Sequence, residues 1–114
     1  MNINMKKQIL GLIQINGGGV SFVELSRLDG FKGDLSWCIK ENIVFWDGMS
    51  EEFIISMQEL LRSKEIIIRS SVALVYAYDG QVLNLPIAKD VKRSYKKPRW
   101  LPIVFWTPKQ LGVQ

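Results

Sequence analysis

Histidine is absent from the 114 residues, and Cys38 is the single cysteine. Without imidazole, the chain lacks the usual general base, the usual zinc ligand and any histidine-dependent catalytic triad. A single cysteine cannot form an internal disulfide. A free cysteine is typically a small buried residue in a protein from a reducing compartment. We therefore expect no enzymatic activity, no metal and no cofactor, and we expect the protein to be cytoplasmic.

Apolar runs long enough to cross a bilayer are also absent. Uninterrupted apolar stretches, such as residues 74–77 and 103–106, have the length of strands. A membrane-spanning helix needs roughly 20 apolar residues. The composition, 47% hydrophobic and 23% charged, is typical of a soluble globular chain with one modest core. These features predict a protein without a membrane partner.

The charge of the chain is divided unevenly. Residues 1–88 contain eight Lys and Arg side chains and ten Asp and Glu side chains, a net charge of −2. Residues 89–114 contain seven and one, a net charge of +6. We therefore expect a mildly acidic body followed by a basic segment, and such a segment favours a polyanionic partner.

Local signals predict three helices. Apolar residues at helical spacing indicate helices over residues 5–15 and 51–64. Ser21 and Glu24 have the spacing of a capping box, which predicts a further helix that begins at Ser21 and continues to about Leu28.

Helix 51–64 has both a start signal and a clear buried face. Ser50 is expected to cap it, and Met49 with Ile54 has the spacing of a hydrophobic staple. The predicted buried stripe consists of Phe53, Ile54, Met57, Leu60 and Leu61. The opposite face is then formed by Glu52, Ile55, Ser56, Glu59, Arg62 and Ser63.

The remaining segments before residue 89 favour strands and one further short helix. The stretch 42–46 is rich in β-branched and aromatic residues and predicts a strand, and residues before it could form a short helix capped by Asp34 or Ser36. Residues 66–87 alternate with a period of two around Asp79-Gly80, which predicts a β-hairpin with a two-residue turn. In this hairpin Tyr76 would face Leu83, and Leu74 would face Leu85.

The segments "VSFVELSRL", "MSEEFIISMQELLRSKEIII" and "VALVYAYDGQVLNL", preceded by an opening helix, resemble a winged helix-turn-helix domain. The resemblance covers residues 5–88 and depends on element order and apolar pattern. It implies that helix 51–64 faces DNA and that the hairpin is the wing. One departure is that residues 31–48 replace the usual turn of about 3 to 4 residues. Glu51 and Glu52 at the helix start would also repel a phosphate backbone.

The segment after residue 88 combines cations with aromatic residues. Its cations are Lys89, Lys92, Arg93, Lys96, Lys97 and Arg99. These side chains could contact phosphates while Tyr95 and Trp100 stack on bases, or the stretch could be a solvated connection without a partner. Residues 100–106 are too apolar to remain in water, so they form either an extra strand on the same domain or a dimer contact.

These inferences predict an α+β, winged-helix-like domain over residues 1–88, with three to four helices and a β-hairpin, and a basic arm with an apolar strand over residues 89–114. The expected function is non-enzymatic nucleic-acid binding, as in a regulator, with phosphate contacts from Lys92, Arg93, Lys96, Lys97, Arg99, Arg62 and Lys64. The alternative is a module for protein interaction or assembly, as a homodimer or with another protein, whose interface residues are Ile55, Trp100 and Trp106.

Overall fold

The computed structural model describes residues 3–112, and it shows an α+β fold. The described helices are α1 (Ile3–Ile15), α2 (Phe22–Leu25), α3 (Glu51–Arg62) and α4 (Ala73–Asp79). The described strands are β1 (Lys32–Lys40), β2 (Ile43–Met49), β3 (Ile67–Ser70), β4 (Arg99–Trp100) and β5 (Ile103–Trp106). A short 3-10 helix at Lys109–Leu111 follows β5. None of the helices within residues 3–112 combines the length and apolarity that a bilayer span requires.

The first three helices were predicted from local signals, and the structure confirms them. The Ser50 hydroxyl accepts a hydrogen bond from the Phe53 N–H at 3.0 Å, so it caps α3 as expected. Ser21 and Glu24 form the predicted capping box. The predicted extent of α2 is wrong, because regular helix ends at Leu25 instead of about Leu28.

The prediction of a short helix between α2 and β2 is wrong. Residues 32–40 form β1, which pairs antiparallel with β2 through an irregular, bulged register. Trp37 is the only buried side chain along β1. Gly33 instead lets the chain approach the next strand, since a Cβ atom there would be 2.5 Å from the Met49 carbonyl oxygen. The predicted strand at residues 42–46 is confirmed as part of β2.

The predicted hairpin at residues 66–87 is also wrong. Its first part is β3, but β3 pairs antiparallel with β5, which lies more than 30 residues further along the chain. The centre of the predicted hairpin is helical, as α4, and Gly80 ends this helix in the left-handed conformation with φ of 116°. Asp79-Gly80 is therefore a helix C-terminus and not a hairpin turn. Since the expected wing does not form, the winged-helix assignment is not confirmed.

Two small sheets enclose an aromatic core. The three-stranded sheet has the order β1-β2-β4, with β4 parallel to β2, and the second sheet consists of β3 and β5. Tyr76 of α4 packs edge-on against Trp100, with 5.0 Å between the ring centroids, and both rings contact Trp46. Phe22 and Phe105 make another edge-on pair at 5.2 Å. The apolar residues 100–106 thus supply part of the core that the helices cover.

Candidate nucleic-acid interface

The six cations at residues 89–99 lie on one closed loop, which we name the basic loop. Its two ends are adjacent, because the Ala88 N–H donates to the Trp100 carbonyl and the Trp100 N–H donates to the Pro86 carbonyl, both at 2.8 Å. The Arg99 N–H also donates to the Asn42 carbonyl at 2.8 Å. Since Trp100 is buried, the base of the loop is fixed to the core.

Tyr95 closes the loop from inside. Its hydroxyl donates to the Asp90 carbonyl and accepts from the Asp90 N–H, both at 3.1 Å. Its own carbonyl accepts from Asn42 Nδ2 at 2.7 Å. The Asp90 carboxylate accepts from the Lys92 N–H at 2.9 Å, which shapes the turn at the start of the loop. These bonds bring the polypeptide into a closed path, and the cations project from it.

Two guanidinium groups lie near the Tyr95 ring. The guanidinium carbon of Arg99 is 4.6 Å from the ring centroid, and that of Arg93 is 5.8 Å from it. Both distances are within the range of cation–π attraction. Arg99 is further fixed by a 3.2 Å hydrogen bond from its Nη1 to the Ile87 carbonyl. Tyr95 therefore positions positive charge, and its hydroxyl is already committed to Asp90.

The basic loop is strongly cationic. With six cations and Asp90 its net charge is +5. The side chains of Lys89, Lys92, Arg93, Lys96 and Lys97 are exposed, and Arg99 is half-buried. Within residues 3–112 no carboxylate forms an ion pair with any of them; the ion pair that this part of the chain contains joins Lys6 and Glu59 at 3.0 Å. The field of the loop is thus available to an external anion.

Arg62 and Lys64, which were predicted to assist, are exposed at the C-terminal end of α3. No hydrogen bond within residues 3–112 connects either side chain to the basic loop. Lys64 instead lines an open pocket together with Leu10 and Lys109. The structure therefore provides no direct connection between these two cations and the loop.

The predicted outer face of α3 needs correction at two positions. Ser56 is buried, and Glu59 is partly buried in its ion pair with Lys6 of α1. Both were expected to face solvent, but α1 packs on this side of α3. Ile55 is exposed, as expected.

The two tryptophans predicted as interface residues are not equivalent. Trp100 is only 1% exposed, and its indole N–H donates to the Phe45 carbonyl at 3.1 Å. It is therefore a core residue that cannot stack on a base or anchor a partner in the folded domain. Trp106 is half-buried against the glycine-rich segment that follows α1.

Sequence reasoning missed a group of exposed apolar side chains. Val72, Leu74, Val75, Tyr78 and Val82 are all exposed, and they lie on or beside α4. The period-two interpretation placed Leu74, Tyr76 and Tyr78 on one strand face. In the helix, Tyr76 is buried in the core, whereas Leu74 and Tyr78 are exposed to solvent.

Comparison with known proteins adds no identification. Models of protein families, curated proteins and solved structures gave no match to this chain. Within residues 3–112 there is also no group of three or more Cys, Asp or Glu side chains that could hold a metal ion.

Proposed function

We propose that the protein binds nucleic acid through the basic loop, chiefly by contacts with the sugar-phosphate backbone. The observation that carries this proposal is the presence of six cations on one eleven-residue loop without an ion pair from residues 3–112. A closed, anchored loop presents these charges with less loss of conformational freedom than a flexible tail would. The proposal does not require a winged helix.

The affinity has a definite physical origin. Each phosphate that a Lys or Arg neutralises releases counterions, and log K falls with log salt with a slope of about −0.9 per phosphate contact on duplex DNA. If the five exposed loop cations each contact one phosphate, the slope is about −4 to −5. Such binding is independent of sequence, with dissociation constants of about 10⁻⁴ to 10⁻⁶ M at physiological salt.

The loop is suited to phosphates rather than to base readout. Trp100 is buried, and the Tyr95 hydroxyl is committed to the Asp90 backbone. The start of α3, which would enter the groove in a helix-turn-helix protein, carries Glu51 and Glu52. Carboxylates at this position oppose a phosphate backbone, so we expect little discrimination among sequences.

The test is fluorescence anisotropy of labelled duplex and single-stranded DNA at salt concentrations from about 50 to 200 mM, the range over which counterion release changes affinity strongly. The loop variant changes Lys92, Arg93, Lys96 and Lys97 to Gln. The matched control changes Lys7, Arg27, Lys32 and Lys109 to Gln, which removes the same charge from exposed positions outside the loop.

We expect the wild type to bind both DNA forms with a steep negative salt slope. The loop variant should lose most of the affinity, and its slope should become shallower by about 3 to 4. The control should retain most of the wild-type affinity and most of its salt slope. Absence of binding at about 50 mM salt would sink the proposal. Equal losses in the two variants would show that overall charge, and not the loop, is responsible.

A second candidate function is protein interaction, and one observation favours it. The exposed apolar side chains of α4 are more typical of a protein contact than of a nucleic-acid surface. Ile55 and Trp106 remain candidates for such a contact because each is at least partly exposed. Trp100 is no longer a candidate because it is buried.

A further inference from the structure

The segment of residues 70–84 has an unusual surface. Five of its apolar side chains are exposed, and we name them the α4 patch: Val72 at 60%, Leu74 at 77%, Val75 at 38%, Tyr78 at 92% and Val82 at 47%. Single exposed apolar residues are ordinary on a protein surface. Leu74 and Val75 are four and three residues before Tyr78 on α4 and so are its neighbours on the helix surface, and grouped exposed apolar side chains are typical of interaction sites.

The α4 patch is held in place by the residue at the centre of the helix. Tyr76 is fully buried, and its hydroxyl donates to the Ile103 carbonyl at 2.6 Å and accepts from the Phe22 N–H at 3.2 Å. The ring also contacts Trp46 and Trp100. Since this anchor fixes the orientation of α4, Leu74 and Tyr78 cannot turn inward without losing these contacts.

The α4 patch and its borders are almost free of charge. Residues 70–84 contain one charged side chain, Asp79, and its carboxylate accepts a hydrogen bond from the Ser21 hydroxyl at 2.7 Å. The exposed polar residues around the patch are neutral, namely Ser70, Gln81 and Asn84. An apolar centre with a neutral polar rim, and with its single carboxylate already hydrogen-bonded, is the composition of a protein interface.

This charge distribution distinguishes between partners. An anionic lipid surface favours cations beside the inserted apolar residues, and the segment has none. A second copy of the chain brings the same surface against itself, so a charged side chain near the twofold axis would meet its own sign. A neutral apolar patch avoids this repulsion, so it is suited to self-association.

The area of the patch is sufficient for a small dimer contact. The exposed fractions correspond to about three fully exposed large side chains, or roughly 600 Å² if each presents about 200 Å². Two copies would together bury roughly 1,200 Å², which is the lower limit of specific interfaces.

We propose that the α4 patch is the contact surface between two copies of this chain, related by a twofold axis. Leu74 and Tyr78, the two most exposed members, are its anchors. The dimer would present two basic loops, but the proposal does not depend on nucleic-acid binding, and either can fail without the other.

The test is sedimentation equilibrium of the wild type over a series of concentrations, beside Leu74→Glu and Tyr78→Glu. Each substitution places two carboxylates in the twofold contact, where they repel one another and lose hydration. The matched control is Ile15→Glu, since Ile15 is 85% exposed at the end of α1. Circular dichroism checks that all variants remain folded. We expect concentration-dependent dimers for the wild type and the control, and monomers for the two α4 variants.

A charge-swap experiment adds a gain-of-function readout. Leu74→Lys alone should be monomeric, because two like charges would repel one another in the contact. An equimolar mixture of Leu74→Lys and Leu74→Glu should form a heterodimer, because the two charges are then opposite. A monomeric wild type would overturn the proposal, as would dimers that persist in both Glu variants. A monomer that floats with vesicles of phosphatidylcholine and phosphatidylserine would overturn it as well, and would assign the patch to a membrane surface.

Discussion

The Trp106 indole lies directly against the backbone of Gly18. A Cβ atom added at Gly18 would be 2.8 Å from Trp106 Cζ3 and closer still to Cε3. Gly18 also has a φ of 93°, in the left-handed region that favours glycine. Gly18 is therefore required by packing as well as by backbone conformation, since it lets the Trp106 side chain of β5 approach the chain after α1.

Gly18→Ala should destabilise the fold more than Gly17→Ala does. Gly17 has a similar φ of 75°, but a Cβ atom there meets nothing within 4 Å, so its substitution reports the conformational cost alone, about 1 to 2 kcal/mol. At Gly18 the collision with Trp106 should add about 1 to 3 kcal/mol. Urea unfolding of both variants measures the difference. Equal values would show that the indole moves aside without cost.

Features set by neighbouring residues could be predicted from the sequence. The caps Ser21 and Ser50 each act on an N–H group three residues away, so the chain around them contains all the required information. Phe53, Met57 and Leu60 of α3 repeat at helical spacing and are buried as predicted, whereas the burial of Ser56 was not predicted.

Features that depend on distant residues could not be predicted. Strand alternation in residues 66–87 was interpreted as a hairpin, yet β3 pairs with β5, and Tyr76 is fixed by the carbonyl of Ile103, 27 residues further along the chain. The charge of the basic loop was evident from composition. Its closure was not, because Tyr95 accepts its hydrogen bond from Asn42, 53 residues earlier.

Tyr76→Phe should lower the free energy of unfolding by about 1 to 3 kcal/mol at neutral pH. The substitution keeps the ring contacts but leaves the Phe22 N–H and the Ile103 carbonyl without the hydroxyl that pairs them. Tyr78→Phe is the matched control at concentrations where the protein is monomeric, because Tyr78 is exposed and its hydroxyl makes no hydrogen bond to another residue within 3–112; we expect a change within about 0.5 kcal/mol. A neutral effect of Tyr76→Phe would mean that the core readily satisfies both backbone groups in another way.

Tyr76 should also set the alkaline limit of stability. Burial raises the pKa of its phenol well above the ordinary value of about 10, because the phenolate would lose its hydration in the core. Above about pH 10 the unfolded chain therefore releases this proton while the folded chain retains it, so stability falls as the pH rises. Urea midpoints between about pH 8 and 11 should show this decline in the wild type and a shallower one in Tyr76→Phe. Parallel curves would exclude Tyr76 as the cause.

Asn42→Gly should loosen the basic loop without removing any of its charge. Asn42 has a φ of 66°, which glycine adopts freely, and its carbonyl still accepts from the Arg99 N–H, so the variant loses only the side-chain bond to Tyr95. We expect faster hydrogen exchange of the amides in residues 89–98 and unchanged exchange in α3, because the opening is local. If the loop binds nucleic acid, affinity should fall a few-fold, because ordering the loop would then oppose binding, while the salt slope stays the same.

Tyr95→Phe removes the two hydrogen bonds between the Tyr95 hydroxyl and the Asp90 backbone. It should change hydrogen exchange and affinity in the same way as Asn42→Gly. Unchanged exchange in both variants would show that the base of the loop, fixed by Trp100, is sufficient to hold the cations in place.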